Sequence, residues 1–212
     1  LIVHGDTNTT LAGAISANKL NIPVIHIESG ARSGNKSEPE EINRMLVDQI
    51  AYINFAFSES SELCLKRENI IKNVYNYPNT AREAVTRNVS LLKESSVIKK
   101  LKLQNKEFIL STLHRATNTN NISVLKKYLK VLSAISKTKE VIVPLHPRTQ
   151  KIIKENNLLL TKNLHIIEPV GYLDFLYLMK HSECILSDSG GVVDESLILK
   201  TPLIMYRSET ER

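Results

Sequence analysis

Short apolar runs rich in β-branched residues alternate with longer amphipathic stretches along the whole chain. The short runs predict strands at Leu1–His4, Pro23–Ile27, Tyr52–Phe57, Ile71–Tyr75, Phe108–Leu113, Val141–Leu145, Leu164–Ile167, Cys184–Leu186 and Leu203–Tyr206. The longer stretches, apolar at the spacing of one helix face, predict helices at Asn8–Lys19, Pro39–Ile50, Ser60–Glu68, Ala81–Leu92, Ile122–Ser136, Arg148–Asn156, Leu173–Lys180 and Val192–Leu199. Pro39 suits a first helical position, with Glu40 and Glu41 in the turn where the helix dipole favours negative charge. Asp174 and Glu195 read as helix-start acids for the same reason. Strands alternating with helices of roughly 10 to 15 residues imply βαβ units and parallel sheets, hence the α/β class.

The stretch Ser95–Lys106 is rich in lysine and has no clear buried face, with four predicted strands before it and five after. It reads as the junction between two Rossmann-like, doubly wound domains: residues 1–98, a linker at 99–106, and residues 107–212. A single nine-stranded sheet is the alternative. The length of 212 residues suits one large or two small domains at roughly 150 residues each. Leu1 opens inside an apparent strand and Arg212 stops just after one, so the chain is expected to be truncated at both ends.

Composition narrows the class. Hydrophobic residues at 42% and charged residues at 24% exclude wholesale disorder. No apolar run approaches the roughly 18 residues of a membrane helix, and the opening residues do not read as a signal peptide. Cys64 and Cys184 are too few and too far apart for a disulfide framework or a zinc site. The expectation is a reduced, cytoplasmic protein with no membrane partner. The net charge of +6 raises nucleic acid as a partner, but the lysines punctuate helix-like patterns and no tryptophan is present. Solvated helix faces account for the charge, and no nucleic-acid partner is expected.

In open parallel sheets, ligands bind beyond the carboxyl ends of the strands. Those positions carry His4-Gly5-Asp6-Thr7, then Glu28, Ser29, Gly30 and Arg32, then His114 and Arg115, then His146-Pro147-Arg148, then Ser187-Asp188-Ser189-Gly190-Gly191. The recurrence of His, acid and Gly at one end places a polar cleft between two facing domains. Ser189-Gly190-Gly191 is the phosphate candidate, because glycine admits an anion close to the backbone and the following helix presents free N–H groups. Glu195, about one turn on, is placed for ribose hydroxyls. Asp6, Glu28 and Glu40 form a set of acids able to work without a metal. Plain structural readings stand beside these: Asp6 as a helix cap, Glu40 as an i, i+4 ion pair with Arg44 and, at another strand end, His114 as a buried structural histidine. No metal-site spacing, dinucleotide fingerprint or Walker loop is present, so no cofactor is expected.

Six blocks occur in order: His4-Gly5-Asp6-Thr7, His26-Ile27-Glu28-Ser29-Gly30-Ala31-Arg32, Pro39-Glu40-Glu41-Ile42-Asn43-Arg44, Leu113-His114-Arg115-Ala116, His146-Pro147-Arg148-Thr149 and Ser187-Asp188-Ser189-Gly190-Gly191. Together they resemble the non-hydrolysing UDP-N-acetylglucosamine 2-epimerases. The resemblance implies two Rossmann-like domains of the GT-B type with a UDP-sugar as substrate. It also implies an isomerase that eliminates UDP to 2-acetamidoglucal and adds it back on the way to UDP-ManNAc, for surface polysaccharide synthesis. Carried over position by position, Asp6, Glu28, Glu40 and His114 match the catalytic residues. Arg44, His114, Ser189, Gly190, Gly191 and Glu195 match the substrate-binding ones. The whole protein is expected to be a homodimer and this chain alone inactive. The rival readings are a UDP-2,3-diacetamido-uronate 2-epimerase, with Lys36 as a possible carboxylate partner, a GT-B glycosyltransferase, and a non-catalytic nucleotide-sugar sensor.

Overall fold

The computed structural model describes residues 1–77, 80–93, 95–103, 107–113, 116–119, 121–156 and 161–206. Two compact units divide them, one from Leu1 to Glu83 and one beginning at Ala84. In the first, β1 (Ile2–His4), α1 (Asn8–Lys19), β2 (Ile25–Ser29), α2 (Pro39–Ile50), β3 (Ile53–Ala56), α3 (Glu59–Arg67) and β4 (Val74–Asn76) follow in turn, and α4 (Thr80–Asn88) crosses into the second. There α5 (Ser96–Leu101), β5 (Phe108–Thr112), α6 (Ala116–Thr119), α7 (Ile122–Ile135), β6 (Glu140–Pro144), α8 (Pro147–Glu155), β7 (Leu164–Ile167), α9 (Tyr172–His181), β8 (Cys184–Ser187), α10 (Gly190–Leu199) and β9 (Leu203–Met205) follow. Among the described residues no helix is long and apolar enough to cross a membrane.

The first sheet is parallel throughout, in the order β1-β2-β3-β4. Its core holds Val3, Val24 and Val47 against Ala14 and Ala17 of α1, whose small side chains let the helix lie close to the strands. The second sheet, also parallel, runs β7-β6-β5-β8-β9. The chain therefore starts at the central strand, winds outward one way, and returns to wind outward the other way, the doubly wound pattern. Alternation along the strands separates two cores. Phe108, Leu110, Ile142 and Ile185 pack with Val85, Ile98, Leu176 and Val192. Val141, Val143 and Leu164 pack with Leu125, Tyr128, Leu132 and Ile153 on the other face. Helices thus cover both faces.

The lysine-rich stretch is not where the units divide. Val97, Ile98, Leu101 and Leu103 belong to the second unit's core around Phe108 and Leu110, along with Val85, Val89 and Leu92. Ser95 caps α5 by accepting the Val97 N–H at 3.2 Å. The lysines of that helix point outward and its three apolar positions point in, a face too short to show in a periodicity. Two further helix starts differ from expectation. Thr7, not Asp6, caps α1, its hydroxyl accepting the Thr10 N–H. Helix α10 begins at Gly190, which puts Glu195 in the second turn.

Candidate active site

The carboxyl end of the first sheet gathers a charged network. Asp6, in the loop after β1, receives the guanidinium of Arg44 at 2.9 Å from Nε and 2.8 Å from a terminal nitrogen. The other end of that guanidinium donates to Glu41 at 2.8 Å. Burial alone would raise the Glu41 carboxyl, but the N–H groups of Ser33 and Gly34 and the charge of Arg44 outweigh it and hold it below the usual carboxylate range. Burial likewise works against the Arg44 cation, and Asp6 and Glu41 more than compensate. Asn43 fixes the same loop, donating to the Asp6 carbonyl at 2.8 Å.

Glu28 sits at the end of β2, where the register against β3 slips between Ile27 and Ser29. Its φ is +71°, left-handed backbone that a residue with a side chain adopts at a cost of about 1–3 kcal/mol. The slip turns its carboxylate back over the end of β1, where Oε2 lies 3.1 Å from His4 Nε2. Gly30, at φ +78°, completes the turn against α3: a Cβ there would lie 2.3 Å from the Ser61 carbonyl oxygen.

A buried chain of polar groups ties these loops together. His26 is fully enclosed, with Nε2 2.9 Å from the Gly5 carbonyl and Nδ1 2.6 Å from Asp48 Oδ1. A carbonyl only accepts, so Nε2 is the donor in that bond. The other oxygen of Asp48 takes the Gly30 N–H at 3.0 Å and Arg32 at 2.8 Å. Arg32 in turn forks onto both oxygens of Glu68, at 2.7 and 2.6 Å. Burial opposes the Arg32 cation, but its two carboxylate partners raise its pKa overall. The residue before Asp6 and the turn after Glu28 are thereby tied to one carboxylate.

In the second unit the winding reverses between β5 and β8, where the Thr112 and Ser187 hydroxyls meet at 2.7 Å. Beside them opens a cavity of about 700 Å³, whose lining includes Leu113, His146, Arg148, Phe175, Gly191 and Glu195. Ser189 is the cap residue of α10 and directs no side-chain bond at the helix. Gly191 has only the Ser189 hydroxyl, 3.9 Å away, near where a Cβ would lie, so space at the helix start stays open. Burial pushes the Glu195 carboxyl up, opposed by the Tyr172 hydroxyl that faces it. Asp188 is enclosed and accepts from Asn118 at 2.9 Å.

The expected residues are distributed as follows. Asp6, Glu28 and Arg44 lie together at the carboxyl end of the first sheet, and Ser189, Gly190, Gly191 and Glu195 at that of the second. The Glu40–Arg44 ion pair does not form: Glu40 is exposed in the first turn of α2, and Arg44 turns to Asp6 and Glu41 instead. His114 and Arg115 lie outside the described residues, as do Pro78, Asn79 and residues 207–212. His26, Asp48, Arg32, Glu68 and Glu41 were not singled out as site residues. On α2 one signal could have found two of them: Glu41 and Asp48 share the buried face of Arg44 and Val47, while Ile42 and Leu46 face out. Among the described residues no three His, Cys, Asp or Glu side chains gather as a metal site.

Comparison with known proteins adds the following. The family model for UDP-N-acetylglucosamine 2-epimerase matches residues 1–212. The UDP-N-acetylglucosamine 2-epimerase of Methanocaldococcus jannaschii is 42% identical over the whole chain. Its structure in complex with UDP-GlcNAc and UDP superposes with a TM-score of 0.87, all of this chain covering 60% of that one. The Neisseria meningitidis UDP-GlcNAc 2-epimerase bound to UDP-GlcNAc gives a TM-score of 0.86 at 35% identity, with 100% and 60% coverage. A Pseudomonas aeruginosa UDP-2,3-diacetamido-2,3-dideoxy-D-glucuronate 2-epimerase is 38% identical, covered over 59% of its length. The chain spans about three fifths of the relatives it matches: 61% of the Methanocaldococcus protein and 59% of the Pseudomonas one.

Proposed function

This chain belongs to the UDP-N-acetylglucosamine 2-epimerase family, and from that premise we propose that the whole protein interconverts UDP-GlcNAc and UDP-ManNAc for surface polysaccharide synthesis. The second unit holds the nucleotide: Ser189, Gly190 and Gly191 take the diphosphate at the start of α10, and Glu195 accepts the ribose hydroxyls. His114 donates to the departing phosphate. The first unit supplies the acids Asp6, Glu28 and Glu40, with Arg44 bound to the Asp6 carboxylate.

The C2 proton of the sugar is not acidic, so the C1–O bond to UDP must stretch before or as that proton leaves. UDP departs with the bonding pair, a carboxylate takes the C2 proton, and 2-acetamidoglucal remains. UDP then re-forms the C1–O bond while a proton is delivered to the opposite face of C2. Carboxylates stabilise the positive charge that develops at C1, and a diphosphate kept in place recombines at high effective concentration. Positioned acid–base groups of this kind are worth about 10²–10⁴-fold in rate.

One observation carries the reading. Glu28 is held in left-handed backbone at a strand bulge, with its carboxylate turned over the end of β1. A fold keeps such a conformation where the direction of one side chain matters more than local ease. The test offers the whole protein UDP-GlcNAc and, separately, UDP-2,3-diacetamido-2,3-dideoxy-glucuronate, with products read by NMR. The manno epimer is expected from UDP-GlcNAc. Epimerisation of the uronate alone would move the substrate to the Pseudomonas-like class. Sugar transfer to an acceptor would mark a glycosyltransferase, and binding without turnover a sensor. On the same resemblance the whole protein is proposed to be a cytoplasmic homodimer, for which sedimentation velocity should give twice the protomer mass.

A further inference from the structure

Epimerisation by two groups leaves a difficulty at the end of each turnover. If one group takes a proton from one face of C2 and another returns a proton to the opposite face, the two finish with their protonation states exchanged. Another turnover in the same direction needs one of them to lose a proton and the other to gain one. Both exchanges end in water, and a carboxylate covered by substrate makes them slowly unless a second titratable group links it to solvent.

His4 has the position and chemistry for that link. It ends β1, opposite Ile27 in the register, and its carbonyl is held by the Thr10 hydroxyl at 2.9 Å. Alternation along β1 puts Val3 in the core and His4 outside it. Its Nε2 lies 3.1 Å from Glu28 Oε2, and its side chain is 54% exposed against 22% for Glu28. One ring nitrogen therefore meets the carboxylate while much of the ring meets water. His26 offers the contrast: it is fully enclosed, both its nitrogens are engaged within the protein, and it has no route to solvent. An imidazole can both take up and give up a proton at its ring nitrogen, so it passes protons in either direction.

We propose that His4 is the proton relay of Glu28, an inference that rests on the epimerase reading above. Protonated Glu28 gives its proton to His4 Nε2, leaving a carboxylate and an imidazolium. The imidazolium then releases a proton to water and returns to the neutral ring. In the opposite sense the imidazolium, charged from water, reprotonates Glu28. No co-reactant beyond water is needed.

The experiment measures UDP-GlcNAc epimerisation by the whole protein as wild type, His4→Gln and His4→Ala, with and without added imidazole. His4→Gln should keep its melting temperature and KM while kcat falls about 100-fold, the lower end of the acid–base range. Free imidazole should restore turnover to His4→Ala in proportion to its concentration, and should not accelerate wild type or Glu28→Gln. Wild-type kcat in His4→Gln, or a folded His4→Ala that stays slow in imidazole, overturns the relay while leaving the epimerase reading intact. A wild type that epimerises no UDP-sugar overturns that reading and the relay with it.

Discussion

Asp48 accepts from His26, the Gly30 N–H and Arg32 while fully enclosed. Replacing it with Asn would leave the Arg32 charge short of a partner and reverse part of the donor pattern. Removing one partner of a buried ion pair costs about 3–5 kcal/mol, so Asp48→Asn should lower the free energy of unfolding by that order in chemical denaturation. Glu41 gives a pH prediction. Its carboxyl is held below its ordinary range in the folded state, so its contribution to stability is complete above that range. That contribution disappears as pH falls toward the lowered value. Glu41→Gln should therefore be less stable at neutral pH and should show a shallower loss on acidification below about pH 4.5, the ordinary value. The sequence made Asp6, Glu28 and Arg44 legible because each follows an apolar strand or sits in a recognisable block. It passed over Glu41 and Asp48, because burial of a charge on a helix depends on partners from distant loops. Arg32 and Glu68, 36 residues apart, are such a case.

Turns at the carboxyl ends of β1 and β2 differ in what they tolerate. Gly5 and Gly30 both have positive φ, but a Cβ at Gly5 would meet only Glu28 Oε2 at 4.0 Å, whereas at Gly30 it would strike the Ser61 carbonyl at 2.3 Å. Gly5→Ala should cost about 1–2 kcal/mol from backbone strain alone. Gly30→Ala should cost clearly more and displace the Glu28 turn from α3; paired thermal melts and kcat measurements on the two variants check the order. At this scale the elements were largely legible: each of the nine expected strands has a counterpart, and α1 and α2 match their expected bounds. Helix α5 was not, since its six residues include two lysines, with a third at its cap, and too short an apolar face to register as periodic. Its burial comes from the core around Phe108 and Leu110 rather than from its own pattern.

For the whole molecule, the two sheets do different work in the proposed reaction. The first follows sequence order and carries acids at its carboxyl end; the second reverses its winding beside β5 and opens a cavity at that reversal. Such a reversal is where α/β proteins take nucleotides, and Ser189-Gly190-Gly191, the phosphate candidate of the sequence, lies at the start of α10 just after β8. The division of the chain at Glu83 was not readable, because it depends on which core claims α4 and α5. In the proposed reaction, acids of the first unit break and remake the C2–H bond of a sugar whose nucleotide the second unit holds. The most direct measurement incubates the whole protein with UDP-GlcNAc in heavy water, without added NAD or metal, and follows C2 by NMR. Deuterium entering C2 together with the manno epimer is the predicted result. A manno product that keeps its original hydrogen, or free sugar in its place, would contradict the account.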